Sequence, residues 1–106
     1  MKTRVAKVSD VGINTMIGVV VRDKWIVVAN VNGKFYGMEG ICSHAGGHLW
    51  EGRLMEFVVK CPRHGSEYDV RNGTLLKGPW VPFGKAHSLP AYPIIVEGEE
   101  LFADLP

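Results

Sequence analysis

Two short motifs carry the side chains best suited to chemistry. Cys42-Ser43-His44 and Cys61-Pro62-Arg63-His64 each offer one thiol and one imidazole, and the 16 residues from Ala45 to Lys60 separate them. Thiolate sulfur and imidazole nitrogen are both good ligands for transition metals, the first soft and anionic, the second neutral. A zinc finger of the common kind pairs its cysteines on one turn and its histidines three to five residues apart on a helix. Here each pair is mixed. A mixed pair on each of two loops can give one metal both sulfurs and a second metal both nitrogens, which suits a two-metal centre with chemically distinct ends. A single zinc ion held by the same four side chains in a binding module remains the alternative; its d¹⁰ ion would leave the protein colourless.

The elements that must position these motifs are strands. Val and Ile total 20 residues against 13 for Ala and Leu, and 13 glycines and 6 prolines favour short strands joined by tight turns over long helices. Arg4 to Val8 is a weak strand signal and Ile17 to Arg22 a stronger one, with Asp23-Lys24 read as the turn into Trp25 to Val31. Asn32-Gly33 tolerates the positive φ angles of a type I′ turn and returns the chain through Lys34 to Glu39. Beyond Gly40, ICSHAGGHLWEG has neither a period of 2.0 nor one of 3.6 and reads as a loop. Glu56 to Lys60 and Ser66 to Val70 read as a hairpin around a second loop, Cys61 to Gly65, with Asn72-Gly73 as the next turn. Residues 77–84, KGPWVPFG, are too rich in Pro and Gly for regular structure, and Tyr92 to Val96 with Leu101 to Ala103 flank Gly98 as a last hairpin.

At this point the chain resembles the Rieske family of [2Fe-2S] proteins, whose signature is CxH, a spacer of about this length, then CxxH. The likeness extends to Gly65, to the Ser66-Glu67-Tyr68-Asp69 segment, to Asn72-Gly73 and to the proline-containing third loop Gly78-Pro79-Trp80-Val81-Pro82. The resemblance implies an all-β Rieske fold. A small cluster-binding subdomain, about residues 41–84, would be inserted in a larger antiparallel, barrel-like base within one domain, 1–106. It further implies one [2Fe-2S] cluster per chain, with Cys42 and Cys61 on the inner iron and His44 and His64 on the outer iron near the surface. Two ferric ions, two sulfides and two thiolates sum to a neutral oxidised cluster, whereas four thiolates leave it doubly negative. Adding an electron to the former is easier, which is why Rieske centres lie at ~ −150 to +300 mV and plant-type clusters near ~ −400 mV.

Departures from the family pattern narrow the expectation. In membrane-anchored respiratory Rieske proteins two more cysteines tie the loops at positions that correspond here to Gly47 and Arg63, and neither is cysteine. The chain therefore resembles a soluble Rieske-type ferredoxin, the class that carries electrons from a reductase to an oxygenase. Yet Ser66 and Tyr68 match hydroxyl residues that in the respiratory proteins donate to a bridging sulfide and a cysteine sulfur, where oxygenase ferredoxins typically carry apolar aromatics. The resemblance thus implies a hybrid: a ferredoxin in its cysteines and respiratory-like around its cluster.

Composition bounds the rest. One domain is the expectation for 106 residues of 11.7 kDa, and a net charge of +1 speaks against a general nucleic-acid binder. The first residues, MKTRVAKVSD, lack the apolar stretch of a signal peptide, and no run approaches a membrane span, so the expected place is the cytoplasm, unanchored. Two cysteines in that compartment are expected to be free thiols or ligands. Residues 1–34 carry six basic and two acidic side chains, while Glu97, Glu99, Glu100 and Asp104 make residues 86–106 acidic; this reads as solvated surface charge, with two ends that lie together as the alternative. His48 and His87 read as polar surface, Leu49, Trp50 and Trp80 as a cover for the cluster or an apolar rim, and Arg63 either as a charge that favours the reduced cluster or as one that faces solvent or pairs with a residue such as Glu67. No Ser-His-Asp arrangement is free of the cluster histidines, no Gly-rich phosphate loop is present, and the length leaves no room for an oxygenase's mononuclear iron domain. The expectation is an electron carrier and not an enzyme, a monomer working between redox protein partners; a small non-catalytic subunit of a larger reductase or oxygenase is the alternative.

Overall fold

The computed structural model describes residues 1–44, 46–80 and 84–106. Among them are β1 (Lys2–Lys7), β2 (Thr15–Val21), β3 (Lys24–Val31), β4 (Lys34–Glu39), β5 (Arg53–Met55), β6 (Val58–Lys60), β7 (Glu67–Asp69), β8 (Leu75–Lys77), β9 (Ala91–Tyr92), β10 (Ile94–Glu97) and β11 (Glu100–Asp104). Among the described residues helix is limited to single 3-10 turns at Val8–Asp10 and Leu49–Glu51. Every strand pairing is antiparallel, in three sheets ordered β1-β11-β10, β2-β3-β4-β9 and β5-β6-β7-β8. The fold is all-β, as the composition requires.

The central sheet explains the uninterrupted apolar run in β3. Val27, Ala29 and Val31 face one core, shared with Cys42, Leu49, Val59, Cys61 and Tyr68; Ile26 and Val28 face a second core, with Val5, Tyr92, Leu101 and Ala103. A strand covered on both faces loses the polar alternation that marks a half-buried one. The cluster-motif sheet, β5 to β8, therefore rests on one face of β2–β4 and the terminal sheet on the other. Its one buried polar residue, Asn30, is satisfied: its amide donates to the Val11 carbonyl at 2.9 Å and its oxygen accepts the Gly33 N–H at 2.9 Å.

Two-residue turns join the meander. Asn32 (φ 53°) and Gly33 (φ 93°) form the anticipated left-handed turn, but the preceding one sits at Arg22 (φ 48°) and Asp23 (φ 65°), one residue earlier than expected. A turn at Asp23-Lys24 would move the pairing by two residues and leave Ile26 and Val28 on the same face, so side-chain alternation does not separate the two placements. The expected Glu56–Lys60 strand is likewise interrupted: Glu56 takes φ 54° in a tight turn, and β5 and β6 emerge on either side of it. β8 was not expected; Leu75 pairs with Tyr68 and Lys77 with Glu67. Tyr92 to Val96 divides at Pro93, which lacks an N–H: β9 pairs with β4, and β10 crosses to the terminal sheet.

The ends of the chain meet, the alternative to simple solvated charge. β1 lies beside β11, and Lys2 pairs with Glu97, Arg4 with Glu100 at 2.7 Å and the amino terminus with Asp104 at 3.0 Å. These exposed pairs set register more than stability. No helix among the described residues is long and apolar enough to cross a membrane. The third-loop expectation for residues 77–84 falls partly on 81–83, outside the described residues.

Candidate metal centre

Both motifs sit in loops pinned at the neck. The first is closed by an Ile41–His48 bridge, by the Cys42 N–H donating to Gly47 at 2.8 Å, and by Leu49 N–H donating to Gly40 at 2.9 Å. The second is the β6–β7 connection, closed by the Cys61 N–H on the Ser66 carbonyl at 2.8 Å and turned by Gly65, whose φ of +78° suits glycine. Cys42 and Cys61 are 3% and 2% exposed and belong to the core that contains β3, so the sulfurs form a buried floor. The His44 N–H donates to Cys42 Sγ at 3.4 Å. Burial pushes the Cys61 thiol up, while backbone N–H groups of Arg63 and His64 oppose the shift by favouring the thiolate.

Above this floor the imidazoles converge. His44 Nδ1 lies 3.2 Å from His64 Nδ1, with the rings 4.8 Å apart and inclined by 65°. Both residues are partly exposed. Each motif therefore splits vertically, its sulfur down and its nitrogen up.

Alternation along β7 sends Ser66, Tyr68 and Val70 to one face, and all three are fully buried. The Tyr68 hydroxyl is 3.2 Å from Cys42 Sγ and 2.9 Å from Ser43 Oγ, and it accepts the Ser43 N–H at 3.3 Å. Its acidity is suppressed to a pKa of about 12, by burial first and then by the hydrogen bond to Cys42. Ser66 Oγ is the one buried side-chain polar atom without a hydrogen-bond partner among the described residues.

The surrounding aromatic residues divide between the two readings offered by the sequence. Leu49 is completely buried, and Trp50 lies across β2 so closely that a Cβ at Gly18 would overlap its indole. Trp80 is 65% exposed. Its N–H donates to the His64 carbonyl at 2.9 Å, its ring stands edge-on to His64, and a Cβ at Gly65 would collide with it. Beside it an open groove of ≈ 430 Å³ is lined by residues including Met55, Lys60, Pro62 and Trp80. His48 stacks on Trp50 at 4.6 Å and approaches Glu51 at 3.4 Å, so its interactions lie with those side chains. A Cβ at Gly47 would meet the Arg63 chain at 3.2 Å, which brings those two positions together.

One participant was passed over in the sequence. Ser43 Oγ lies 2.9 Å from Tyr68 Oη and 2.9 Å from both the N–H and the carbonyl oxygen of His87. Nothing local marks it, because its partners lie 25 and 44 residues away.

The architecture and the paired motifs have close counterparts. A family model for the Rieske [2Fe-2S] domain matches residues 1–93. The 3-phenylpropionate/cinnamic acid dioxygenase ferredoxin subunit of Shigella boydii serotype 4 (strain Sb227) is 35% identical over 82 residues, 76% of this chain and 73% of that protein. The ferredoxin of carbazole 1,9a-dioxygenase from Nocardioides aromaticivorans IC177 superposes with a TM-score of 0.85 at 24% identity, over 97% of this chain and 96% of that one. A further match, at TM-score 0.83 and 27% identity over 95% and 99% of the two chains, comes from a complex of reduced oxygenase and oxidised ferredoxin in carbazole 1,9a-dioxygenase. This chain belongs to the Rieske [2Fe-2S] domain family. Within that family it is an electron carrier of the ferredoxin kind, not the catalytic component, and its cofactor is a Rieske-type [2Fe-2S] cluster.

Proposed function

We propose that Cys42 and Cys61 hold the inner iron of that cluster and His44 and His64 the outer iron through their Nδ1 atoms. The observation that carries this assignment is the sorting of donors: two buried sulfurs on one level and two facing imidazole nitrogens, 3.2 Å apart, on the next. The orphaned Ser66 hydroxyl adds support, since a buried donor without a partner fits a site where a sulfide would accept its proton. Tyr68, within reach of Cys42, supplies a second donor. When bound, the cluster takes up and gives back one electron. The chain's own part is to keep the sulfurs dry, to stabilise added negative charge with N–H and O–H donors, and to leave the histidine edge accessible.

On this reading the whole of 1–106 is one domain, residues 41–84 form its cluster-binding part, and the protein works as a cytoplasmic monomer. It receives electrons from a reductase and passes them to an oxygenase through the histidine edge. The names of similar proteins support the oxygenase as acceptor: one is a dioxygenase ferredoxin subunit, another the oxidised ferredoxin in a complex with reduced oxygenase. The test is iron and labile-sulfide analysis with paramagnetic resonance of the reduced protein, alongside gel filtration. About two irons and two sulfides per chain, a low average g and a monomer mass are the expected results. Stoichiometric zinc without sulfide would overturn the ligand assignment, and elution only within a larger assembly would overturn the free-carrier reading.

A further inference from the structure

The network around Ser43 contains fewer protons than contacts, and counting them assigns this residue a task. A serine hydroxyl and a tyrosine hydroxyl have one proton each. The His87 N–H must donate to Ser43 Oγ, and the His87 carbonyl can only accept from it. The Ser43–Tyr68 contact can run either way. The Tyr68–Cys42 contact can run only from the tyrosine once the sulfur is an iron-bound thiolate without a proton.

A third arrangement, with Ser43 donating to the His87 carbonyl and Tyr68 to Cys42 Sγ, would set the two hydroxyl oxygens 2.9 Å apart with no proton between them; two arrangements remain. In one, Ser43 donates to the His87 carbonyl, Tyr68 donates to Ser43, and the Cys42 sulfur receives nothing from Tyr68. In the other, Ser43 donates to Tyr68 Oη, and Tyr68 donates to Cys42 Sγ. The second leaves the His87 carbonyl without the serine proton, but His87 is exposed and water can replace it. The first strips a donor from an anionic sulfur that is only 3% exposed, where no water substitutes. The Ser43 N–H, already directed at Tyr68 Oη, also prefers that oxygen as acceptor.

We infer that Ser43 is a positioning residue that donates to Tyr68 Oη, strengthens that hydroxyl as a donor to the Cys42 sulfur and so raises the reduction potential of the cluster. The His87 N–H holds the serine oxygen in place, which ties the segment after the third loop to the same network. This rests on the proposed role of Cys42 as a ligand. It adds that Tyr68 is a stronger donor to the sulfur while the Ser43 hydroxyl donates to it.

The test is a double-mutant cycle read by voltammetry on the cluster-loaded protein, with iron content and visible spectrum checked for each variant. Ser43→Ala is expected to lower the potential by a smaller part, about 10 to 30%, of the drop caused by Tyr68→Phe, and to cause no further drop in a Tyr68→Phe background. Ser43→Thr keeps the hydroxyl and is expected to restore the potential. Equal shifts from Ser43→Ala in both backgrounds, or no shift while Tyr68→Phe shows its own, would overturn the inference. A Ser43→Thr potential as low as that of Ser43→Ala would also overturn it. Failure of the underlying reading has a separate signature: the unmodified protein would then lack the iron and labile sulfide of a [2Fe-2S] cluster.

Discussion

The sulfur floor and the histidine rim of the metal centre are built to opposite specifications. On the floor, Cys42, Cys61, Ser66 and Tyr68 are buried in the core that includes β3, and backbone or hydroxyl donors surround the sulfurs. On the rim, His44 and His64 are partly exposed, and the neighbouring Trp80 shows most of its ring to solvent. A low-dielectric floor makes each hydrogen bond to an anionic sulfur count, whereas a thin rim keeps the electron near the surface. On the proposed ligand assignment, the part that would set the potential is shielded from the part that would meet a partner.

The largest effect should come from the floor. Cys42→Ser and Cys61→Ser each replace a soft thiolate with a hard, reluctantly ionised hydroxyl, and both should lose iron, labile sulfide and visible colour, as elemental analysis will register. Full colour in either variant would remove that cysteine from the ligand set. A rim change of comparable size in the sequence should act differently. Gly65→Ala places a Cβ at a φ of +78° and against the Trp80 ring, a strain of about 1 to 3 kcal/mol before the indole moves. At ~4 to 8 °C per kcal/mol for a domain this small, the melting temperature should fall by several degrees. An unchanged melting temperature would mean that the loop relaxes freely and that Gly65 does not fix the rim.

The same division decided what the sequence disclosed. The four motif residues announce themselves because the loops that carry them are short and their spacing is local, and the Asn32-Gly33 turn is legible because its chemistry lies within two residues. The first turn was legible only to within one residue, at Asp23-Lys24 instead of Arg22-Asp23, and the Glu56 turn not at all, because neither stretch holds a dipeptide such as Asn-Gly that fixes a turn in place. β8 was hidden because a three-residue strand such as Leu75–Lys77 has no periodicity to detect. The Ser43 contacts were hidden for a third reason. They join residues 25 and 44 positions apart, and only the folded chain brings those together.

Within the floor, the two hydroxyls sharpen the comparison. A donor to sulfide or thiolate stabilises the more negative, reduced cluster more than the oxidised one, so Ser66→Ala and Tyr68→Phe should each lower the potential. A difference of ~1 to 2 kcal/mol per donor corresponds to about 40 to 90 mV for one electron. Voltammetry decides it. Potentials that stay put in both variants, with intact spectra, would reduce Ser66 and Tyr68 to packing residues.

The smallest effect tests whether the outer face of β7 is separate from its inner one. Asp69 lies between Tyr68 and Val70 on the strand but points away from them, and its carboxylate accepts the Arg71 backbone N–H at 2.9 Å and two guanidinium N–H groups at 3.0 and 2.8 Å. The Arg71 side-chain hydrogen bonds hold this carboxyl below its usual value of 3.8, against the opposing effect of burial. A group with a depressed folded pKa stabilises the fold above its unfolded value and loses that contribution as the pH falls through the folded one. The Asp69 contribution should therefore be complete at neutral pH and fade below about pH 4. Asp69→Asn should lower stability at pH 7 and flatten the acid side of the profile, as denaturant titrations across that range will reveal. Because the carboxylate faces away from the floor, the same variant should leave the reduction potential where it was. A shift as large as that of Ser66→Ala would mean that the outer face of β7 reaches the cluster electrostatically, and that the floor is less insulated than its burial implies.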